Sequence, residues 1–145
     1  MEKSKDQLSN WPVSTDISVQ WGDLDALNHV NHTVFLTWME TARMVYFERC
    51  GMMEMLESEG IGPILGGIKA DYSSPVNFPD SITVQTTMSR LGRSSFDMDY
   101  RIISERKGKI VCTGTAYGVM YDYGKGQSTP IWDELKMKII ELENS

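Results

Sequence analysis

Two carboxylates and two imidazoles lie close together in one short stretch of this sequence. Asp23, Asp25, His29 and His32 fall within ten residues, and a helical pattern begins at Thr33. The N-terminus of a helix presents unpaired backbone N–H groups and partial positive charge, which stabilise an oxyanion that forms during a reaction. A carboxylate held next to such a helix end can activate water or attack a carbonyl carbon. The stretch therefore indicates a hydrolytic site.

The same residues also allow less reactive roles. An aspartate before a helix most often accepts hydrogen bonds within its own turn, and this is the alternative for Asp25. Asp23 is expected to shape the turn, and His29 either contacts a substrate or donates to a loop carbonyl. For His32 the backbone N–H is the group of interest. The spacing of the four side chains matches no known pattern of metal ligands, so we expect no metal site.

The helix that follows this stretch is predicted to be central. Its apolar residues recur at helical spacing: Phe35, Trp38, Met39, Ala42, Val45 and Tyr46. The pattern runs to about residue 50, and Gly51 is a natural stop. Further apolar residues widen the stripe almost around the helix, so other elements must cover it on most sides. Glu40 and Arg43 predict an ion pair, although Glu40 could also be a second carboxylate near the site.

The rest of the chain predicts one strand before this helix and four strands after it. Ile17, Val19 and Trp21 alternate with polar residues. This strand follows a polar arm over residues 1–15. A short helix over residues 52–59 leads into four alternating segments joined by short turns, which predict an antiparallel meander.

The order of these elements predicts an α+β architecture. A single antiparallel five-stranded sheet can bury the apolar helix by curling around it. Ser128-Thr129-Pro130 is a cap followed by proline and predicts a C-terminal helix that runs to about Glu143. The edges of such a sheet can pair between subunits to form a dimer. We assign residues 1–145 to one domain, of which residues 1–15 are an N-terminal arm.

Composition argues against several classes of function. The formal net charge of −6 disfavours binding to nucleic acid, because phosphate contacts need clustered Lys and Arg. Cys50 and Cys112 stand far apart in apolar surroundings and are expected to be reduced thiols. No apolar run is long enough to span a membrane, and the N-terminus lacks the apolar region of a signal peptide. We therefore expect a cytoplasmic protein with no nucleic-acid or membrane partner.

Several of these segments resemble one family, the hotdog-fold acyl-CoA thioesterases. The first part of the resemblance lies in Trp21-Gly22-Asp23-Leu24-Asp25, in His29-Val30-Asn31, and in Trp38-Met39-Glu40 and Ala42-Arg43 of the helix. The later part lies in Tyr72 with Pro75, in Asp80 and in Leu91-Gly92-Arg93-Ser94-Ser95-Phe96. Together they cover residues 16–120. The most similar groups are the hydroxybenzoyl-CoA thioesterase class and the related plant acyl-carrier-protein thioesterases.

The resemblance implies catalytic roles. In this family the second aspartate of the turn is the catalytic carboxylate, and it falls on Asp25. A backbone N–H at the start of the central helix polarises the thioester carbonyl, and this position falls on His32. The plant enzymes have an asparagine and a histidine after the aspartate; His29 keeps the histidine, but Leu27 replaces the asparagine. This difference favours the simpler aspartate mechanism, in which Asp25 is either a general base or a nucleophile.

The resemblance also implies where CoA binds. The CoA-binding surface of the family lies partly around the turn that falls on Arg93, Ser94 and Ser95, although these residues could form only a hairpin turn. Arginine and hydroxyl groups suit phosphates and pantetheine amides. Asn31 is assigned to the same substrate-binding set. CoA is part of the substrate, so no cofactor is expected.

These features together predict an acyl-CoA thioesterase that acts as a homodimer or homotetramer. Its acyl pocket would lie between subunits, because a single curled sheet has no deep cleft of its own. Two alternatives share the fold: an acyl-carrier-protein thioesterase, and a non-catalytic acyl-CoA binder or sensor. The sequence contains no Gly-x-Ser-x-Gly segment, which argues against a serine hydrolase.

Overall fold

The computed structural model describes residues 11–145 of the chain. Within them, helices and strands follow in the order β1 Val13–Ser18, α1 His32–Cys50, α2 Met52–Glu59, β2 Ile61–Tyr72, β3 Ser81–Leu91, β4 Ser95–Ser104, β5 Lys109–Asp122, β6 Gln127–Ser128 and α3 Asp133–Glu143. One turn of 3-10 helix, Trp21–Asp23, lies between β1 and α1. No helix in the described part of the chain is long and apolar enough to cross a membrane.

The strands form one antiparallel sheet in the spatial order β1-β3-β4-β5-β2, with the short β6 paired to the end of β5. β3, β4 and β5 form a meander, as predicted. β2 is not part of it, because it pairs with β5 from Ile61 opposite Asp122 to Tyr72 opposite Cys112. The prediction that four successive strands form one meander is therefore wrong for β2. Residues 73–80 connect β2, at one end of the sheet, to β3, and β4 and β5 lie between these two strands.

β1 begins earlier than its sequence pattern indicated. Val13 is fully buried and pairs with Thr86 of β3. Residues 13–15 were predicted to belong to a surface arm, but they lie in the sheet. Residues 1–10 of that arm lie outside the described residues. Trp21 is not in the strand; it begins the 3-10 helix and is 76% exposed, because the pairing of β1 with β3 ends before it.

α1 lies against the concave face of the curled sheet and forms the centre of the hydrophobic core. Its buried apolar residues are Phe35, Trp38, Met39, Ala42, Tyr46, Phe47 and Cys50. Gly114 of β5 allows a close approach, because a Cβ at this position would lie 2.9 Å from Cε of Met39. The predicted α+β hotdog architecture, with a long central helix and a C-terminal helix, is confirmed.

Both ends of α1 are capped. The side chain of Asn31 accepts a hydrogen bond from the backbone N–H of Thr33 at 3.0 Å, which satisfies one of the free donors of the first turn. Gly51 adopts a φ of 91°, the left-handed conformation that ends helices, and its N–H donates to the carbonyl groups of Phe47 and Glu48. The predicted stop at Gly51 is therefore confirmed.

A charged residue anchors α3 in the core. Glu143 is 3% exposed. Its carboxylate accepts hydrogen bonds from the Tyr46 hydroxyl at 2.6 Å, the Thr87 hydroxyl at 2.5 Å and the Met88 backbone N–H at 2.9 Å. Tyr46 belongs to α1 and the other two donors belong to β3, so one carboxylate connects three elements. Such partners are what allow a carboxylate to be buried.

Candidate active site

The chain between β1 and α1 forms a tight turn that carries the candidate reactive groups. The backbone N–H of Asp25 donates to the His29 carbonyl at 2.8 Å, and that of Asn28 donates to the Asp25 carbonyl at 3.1 Å. Asn28 adopts a φ of 61°, a left-handed conformation that asparagine tolerates better than most residues. Val30 is buried, and its N–H donates to the Val76 carbonyl at 2.9 Å, which fixes the turn against the β2–β3 connection.

The two carboxylate oxygens of Asp25 have different environments. Oδ1 accepts hydrogen bonds from the backbone N–H of Leu27 at 2.9 Å and, at a longer 3.4 Å, from that of His29. Oδ2 has no hydrogen-bond partner among the residues that the structure describes. The turn-forming role and a chemical role are therefore compatible, because one oxygen holds the turn and the other is available to a ligand.

Asp23 serves the turn, as predicted. Its Oδ2 accepts a hydrogen bond from the backbone N–H of Gln20 at 2.8 Å, which caps the 3-10 helix. Its carbonyl accepts from the N–H of Asn31 at 2.9 Å. This residue thereby links the strand end on one side of the loop to the start of α1 on the other.

The first turn of α1 supplies a free backbone donor. His32 is the first residue of the helix, and its N–H has no acceptor in the described part of the chain. This N–H lies at the positive end of the helix, where it suits a polarised carbonyl oxygen. Asn31, the predicted substrate contact before it, uses its side-chain oxygen to accept from both the N–H and the hydroxyl of Thr33. Its amide nitrogen is the group that remains for a ligand.

An open cleft brings three of the predicted residues together. It is lined by Asp25, His29, Val30, His32, Phe35, Tyr72, Ser73, Ser74 and Pro75. Asp25, His29 and the start of α1 therefore face one space. The imidazole of His29 is exposed and makes no hydrogen bond within residues 11–145, so the alternative of a bond to a loop carbonyl is not observed.

Tyr72 is a residue of this cleft that our site prediction missed. Its hydroxyl donates to the carbonyl of His32 at 3.3 Å, and its ring meets the ring of Phe35 edge to face at 5.2 Å. Burial raises the pKa of the Tyr72 hydroxyl above its ordinary value, so it is a neutral donor at neutral pH. The sequence signal was an aromatic residue at a strand end shortly before proline, but the contact with α1 depends on tertiary structure.

The turn of Arg93, Ser94 and Ser95 lies apart from this cleft within one chain, since none of the three lines it. Arg93 and Ser94 lie in the connection between β3 and β4, and Ser95 is the first residue of β4. The carbonyl of Arg93 accepts from the Ile131 N–H at 2.8 Å, and the carbonyl of Ser94 accepts from the Met120 N–H at 2.7 Å. The Arg93 side chain is exposed. The hairpin alternative is therefore observed, and the guanidinium is accessible to a ligand.

The predicted ion pair between Glu40 and Arg43 is wrong. Arg43 is 8% exposed and donates to the Tyr100 hydroxyl at 3.1 Å, while Glu40 is exposed. The guanidinium points toward the sheet because the long side chain reaches β4 across the core. Within residues 11–145, no group of three or more His, Cys, Asp and Glu side chains is arranged to hold a metal ion.

Comparison with known proteins identifies the family. A family model described as the thioesterase-like superfamily matches residues 19–139. The long-chain acyl-CoA thioesterase FadM of Escherichia coli K12 is 23% identical over 130 residues, which cover 90% of this chain and 98% of FadM.

Solved structures agree with the fold. A thioesterase from Thermus thermophilus, complexed with coenzyme A and Zn, is 29% identical with a TM-score of 0.82 and covers 94% of this chain and 97% of its own. The DHNA-CoA thioesterase of Staphylococcus aureus is 23% identical with a TM-score of 0.78, covers 91% of this chain and 93% of its own, and supports the fold alone.

Proposed function

Because the chain belongs to the thioesterase-like superfamily, we propose that it hydrolyses an acyl-CoA thioester to a free acid and CoA, with Asp25 as the catalytic carboxylate. One observation carries this proposal. Asp25, whose Oδ2 has no partner among the described residues, and the first residue of α1 line the same cleft. A nucleophile or base therefore faces the space next to a donor for a thioester carbonyl oxygen.

The reaction divides between the two groups. The N–H of His32 donates to the carbonyl oxygen and stabilises the negative charge that develops on it. Asp25 then acts by one of two routes. As a base it takes a proton from water, hydroxide adds to the carbonyl carbon, the C–S bond breaks, and the CoA thiolate leaves. As a nucleophile its Oδ2 displaces the thiolate to form a mixed anhydride, which water hydrolyses.

The remaining predicted residues are proposed to bind the substrate. His29 lines the cleft, and its imidazole makes no hydrogen bond within residues 11–145, so it is assigned to contact with the thioester end of the substrate. The amide nitrogen of Asn31, beside the helix start, has no hydrogen-bond partner in the described part of the chain. Arg93, Ser94 and Ser95 lie beyond the cleft, so we assign them to the part of CoA that extends outside it. No cofactor is required, because a carboxylate and a backbone donor supply both functions.

The protein is proposed to act as a homodimer or homotetramer. β2 lies at one end of the sheet, so its outer edge carries unpaired backbone donors and acceptors. Ile64, Leu65 and Tyr72 of this strand are 40%, 45% and 45% exposed. Pairing of two β2 edges would continue the sheet and place the acyl group between subunits. Light scattering of the purified protein measures the subunit number.

We place the reaction in the cytoplasm. Both cysteines, Cys50 and Cys112, are free thiols, which is usual for proteins of a reducing compartment.

The decisive experiment measures thiol release from short-chain, long-chain and aromatic acyl-CoAs and from an acyl-carrier-protein ester. Wild type is compared with Asp25→Asn and with Asp23→Asn. The second variant is a matched control, since it makes the same chemical change two residues away at a carboxylate used for capping. We expect hydrolysis of a CoA ester to depend on Asp25 and to survive Asp23→Asn.

Three results would contradict the proposal, each at a different part of it. Full activity of Asp25→Asn would remove the carboxylate from the mechanism. Binding of acyl-CoA without hydrolysis, for every ester tested, would assign the chain to the binder or sensor class instead. Faster hydrolysis of the carrier-protein ester than of any CoA ester would replace CoA with the carrier protein as the proposed substrate.

A further inference from the structure

A second cleft, on the other half of α1, is apolar except for two charged residues. We propose that this cleft binds the distal part of the acyl group and that Arg43 selects acyl chains carrying a neutral oxygen acceptor, a hydroxyl or keto group, away from the thioester. This inference rests on the proposed thioesterase function, because it names the acyl group that the enzyme prefers.

The cleft lies between α1, α2 and the inner side of the sheet. Its apolar lining includes Met44, Phe47, Met53, Leu56, Ile64 and Phe96. Glu40 and Arg43 line the same space. Met44, Ile64 and Leu65 are each at least 40% exposed in the single chain, so the cleft opens at the β2 edge. A second copy paired at this edge would close the cleft and leave its interior apolar apart from these two charged residues.

Arg43 is the group in this cleft that calls for a ligand. It is more than nine-tenths buried, yet the Tyr100 hydroxyl is its only hydrogen-bond acceptor in the described part of the chain. No carboxylate of that part lies within ion-pair distance of it. A guanidinium has five N–H donors, and burying a cation with so few partners is unfavourable. Within the described residues, no side-chain donor that is fully shielded from solvent lacks a partner, so the remaining donors of Arg43 keep some exposure. Arg43 lines the cleft, which is therefore the space where a ligand can reach these donors.

The charges of the cleft favour a neutral oxygen over a carboxylate. Glu40 is exposed and lines the cleft with Arg43, so the lining has no net charge. A ligand carboxylate would approach both the guanidinium and the carboxylate of Glu40, and repulsion by the second would offset attraction by the first. A hydroxyl or keto oxygen accepts from Arg43 without that repulsion. The hydrogen bond is also strengthened by the charge of the donor.

The position of Arg43 on α1 fits an acyl chain that starts at the catalytic cleft. It follows His32 by eleven residues, which is close to three full turns, so the two residues lie on the same side of the helix. The rise of 1.5 Å per residue separates their Cα atoms by about 16 Å along the axis. A chain that runs from the carbonyl at His32 along α1 therefore brings a distal oxygen, and not the thioester, to Arg43.

The test compares plain acyl-CoAs with their ω-hydroxy counterparts in the octanoyl, decanoyl, dodecanoyl and tetradecanoyl series, using kcat/KM. For at least one length, wild type should prefer the ω-hydroxy ester by about tenfold, which corresponds to one charge-assisted hydrogen bond. Arg43→Met replaces the guanidinium by an apolar side chain of similar length. In this variant the ratio of kcat/KM for the ω-hydroxy ester to that for the plain ester should fall to about one, while hydrolysis of the plain ester persists. Arg49→Met is the control, because Arg49 is an exposed residue of α1 that donates to the Pro12 carbonyl outside the cleft.

Several outcomes would overturn this inference. The first is a kcat/KM of wild type for the plain ester that equals or exceeds that for the ω-hydroxy ester at every length. The second is a stronger preference for the ω-carboxy ester than for the ω-hydroxy ester. The others concern Arg43→Met: an unchanged ratio of kcat/KM between the ω-hydroxy and plain esters, or a change of oligomeric state. If that variant does not fold, inhibition of wild type by free dodecanoate and free ω-hydroxydodecanoate provides the same comparison. If wild type hydrolyses none of the plain esters in a way that depends on Asp25, the result instead contradicts the proposed function.

Discussion

Two carboxylates of this protein, Asp25 and Glu143, show how one chemical group takes opposite roles. Glu143 is buried in the core, where donors from α1 and β3 bind both of its oxygens. Asp25 is half-buried at a cleft, where its turn binds Oδ1 and leaves Oδ2 without a partner among the described residues. The difference lies in how many acceptor positions the protein itself occupies.

This difference explains why only one of the two can do chemistry. A carboxylate whose oxygens are all engaged stabilises the fold, because removing it leaves several buried donors unsatisfied. A carboxylate with one free oxygen at a cleft contributes less to stability, but it can take a proton or attack a carbon. Substitutions at the two sites should therefore have crossed effects on activity and stability.

The largest expected effect is on turnover. Replacing Asp25 by Asn removes the base or nucleophile, and kcat should fall by about 10²–10⁴-fold. The Asn side-chain oxygen can still accept from the N–H of Leu27, so the unfolding temperature should stay close to that of wild type. Steady-state kinetics and calorimetry on the same preparation measure both quantities. A large loss of stability without loss of turnover would reverse the comparison.

The matching substitution in the core should do the opposite. Glu143→Gln replaces one acceptor oxygen by an amide donor facing Tyr46, Thr87 or the N–H of Met88, so the free energy of unfolding should fall by about 2–3 kcal/mol. Turnover per folded molecule should remain near that of wild type. Urea unfolding followed by fluorescence gives the free energy. A stability equal to wild type would show that the buried carboxylate does not hold α3 in place.

Alkaline pH should weaken the core. Burial raises the pKa of the Cys50 thiol to about 11 and, with the charge of Asp71, that of Cys112 to about 12. Above the ordinary thiol value of 9.0 the unfolded chain loses these protons while the folded chain keeps them, so stability falls as pH rises. The loss should be about 1 kcal/mol per pH unit for each thiol between pH 9 and 11.

Urea unfolding at a series of pH values measures this slope. The double variant Cys50→Ala with Cys112→Ala is the comparison, and its stability should fall less steeply with pH. An identical slope in the two proteins would show that the thiols do not control the alkaline limit.

The smallest expected effect sharpens the comparison within the core. Tyr46→Phe removes one donor to Glu143 and should lower the free energy of unfolding by about 1 kcal/mol. Because the two residues contact each other, the effects of Tyr46→Phe and Glu143→Gln should not add. A double-mutant cycle measures the coupling. Strict additivity would mean that the 2.6 Å contact contributes nothing to stability.

Much of the site could be read from local sequence. The turn at Asp25, the start of α1 within one residue and the stop at Gly51 depend on neighbours along the chain, so spacing and caps predict them. The end of α3 at Glu143 was also predicted, but its start was not. The helix begins at Asp133 and not at Pro130, and the residue that precedes it, Trp132, makes no side-chain capping hydrogen bond. The resemblance supplied the hotdog fold and the proposed role of Asp25.

Other features depend on contacts between distant residues. Three such contacts join positions at least 40 residues apart: the pairing of β2 with β5, the hydrogen bond from Arg43 to Tyr100, and that from Tyr72 to the carbonyl of His32. The burial of Glu143 is of the same kind. Periodicity shows which side of an element is apolar, but it does not show which partner covers that side. The sequence by itself therefore determined the elements and the candidate carboxylate. The tertiary structure decided that Oδ2 of Asp25 and the guanidinium of Arg43 are available to a ligand. The reason is that the availability of a group depends on all the partners that packing brings next to it.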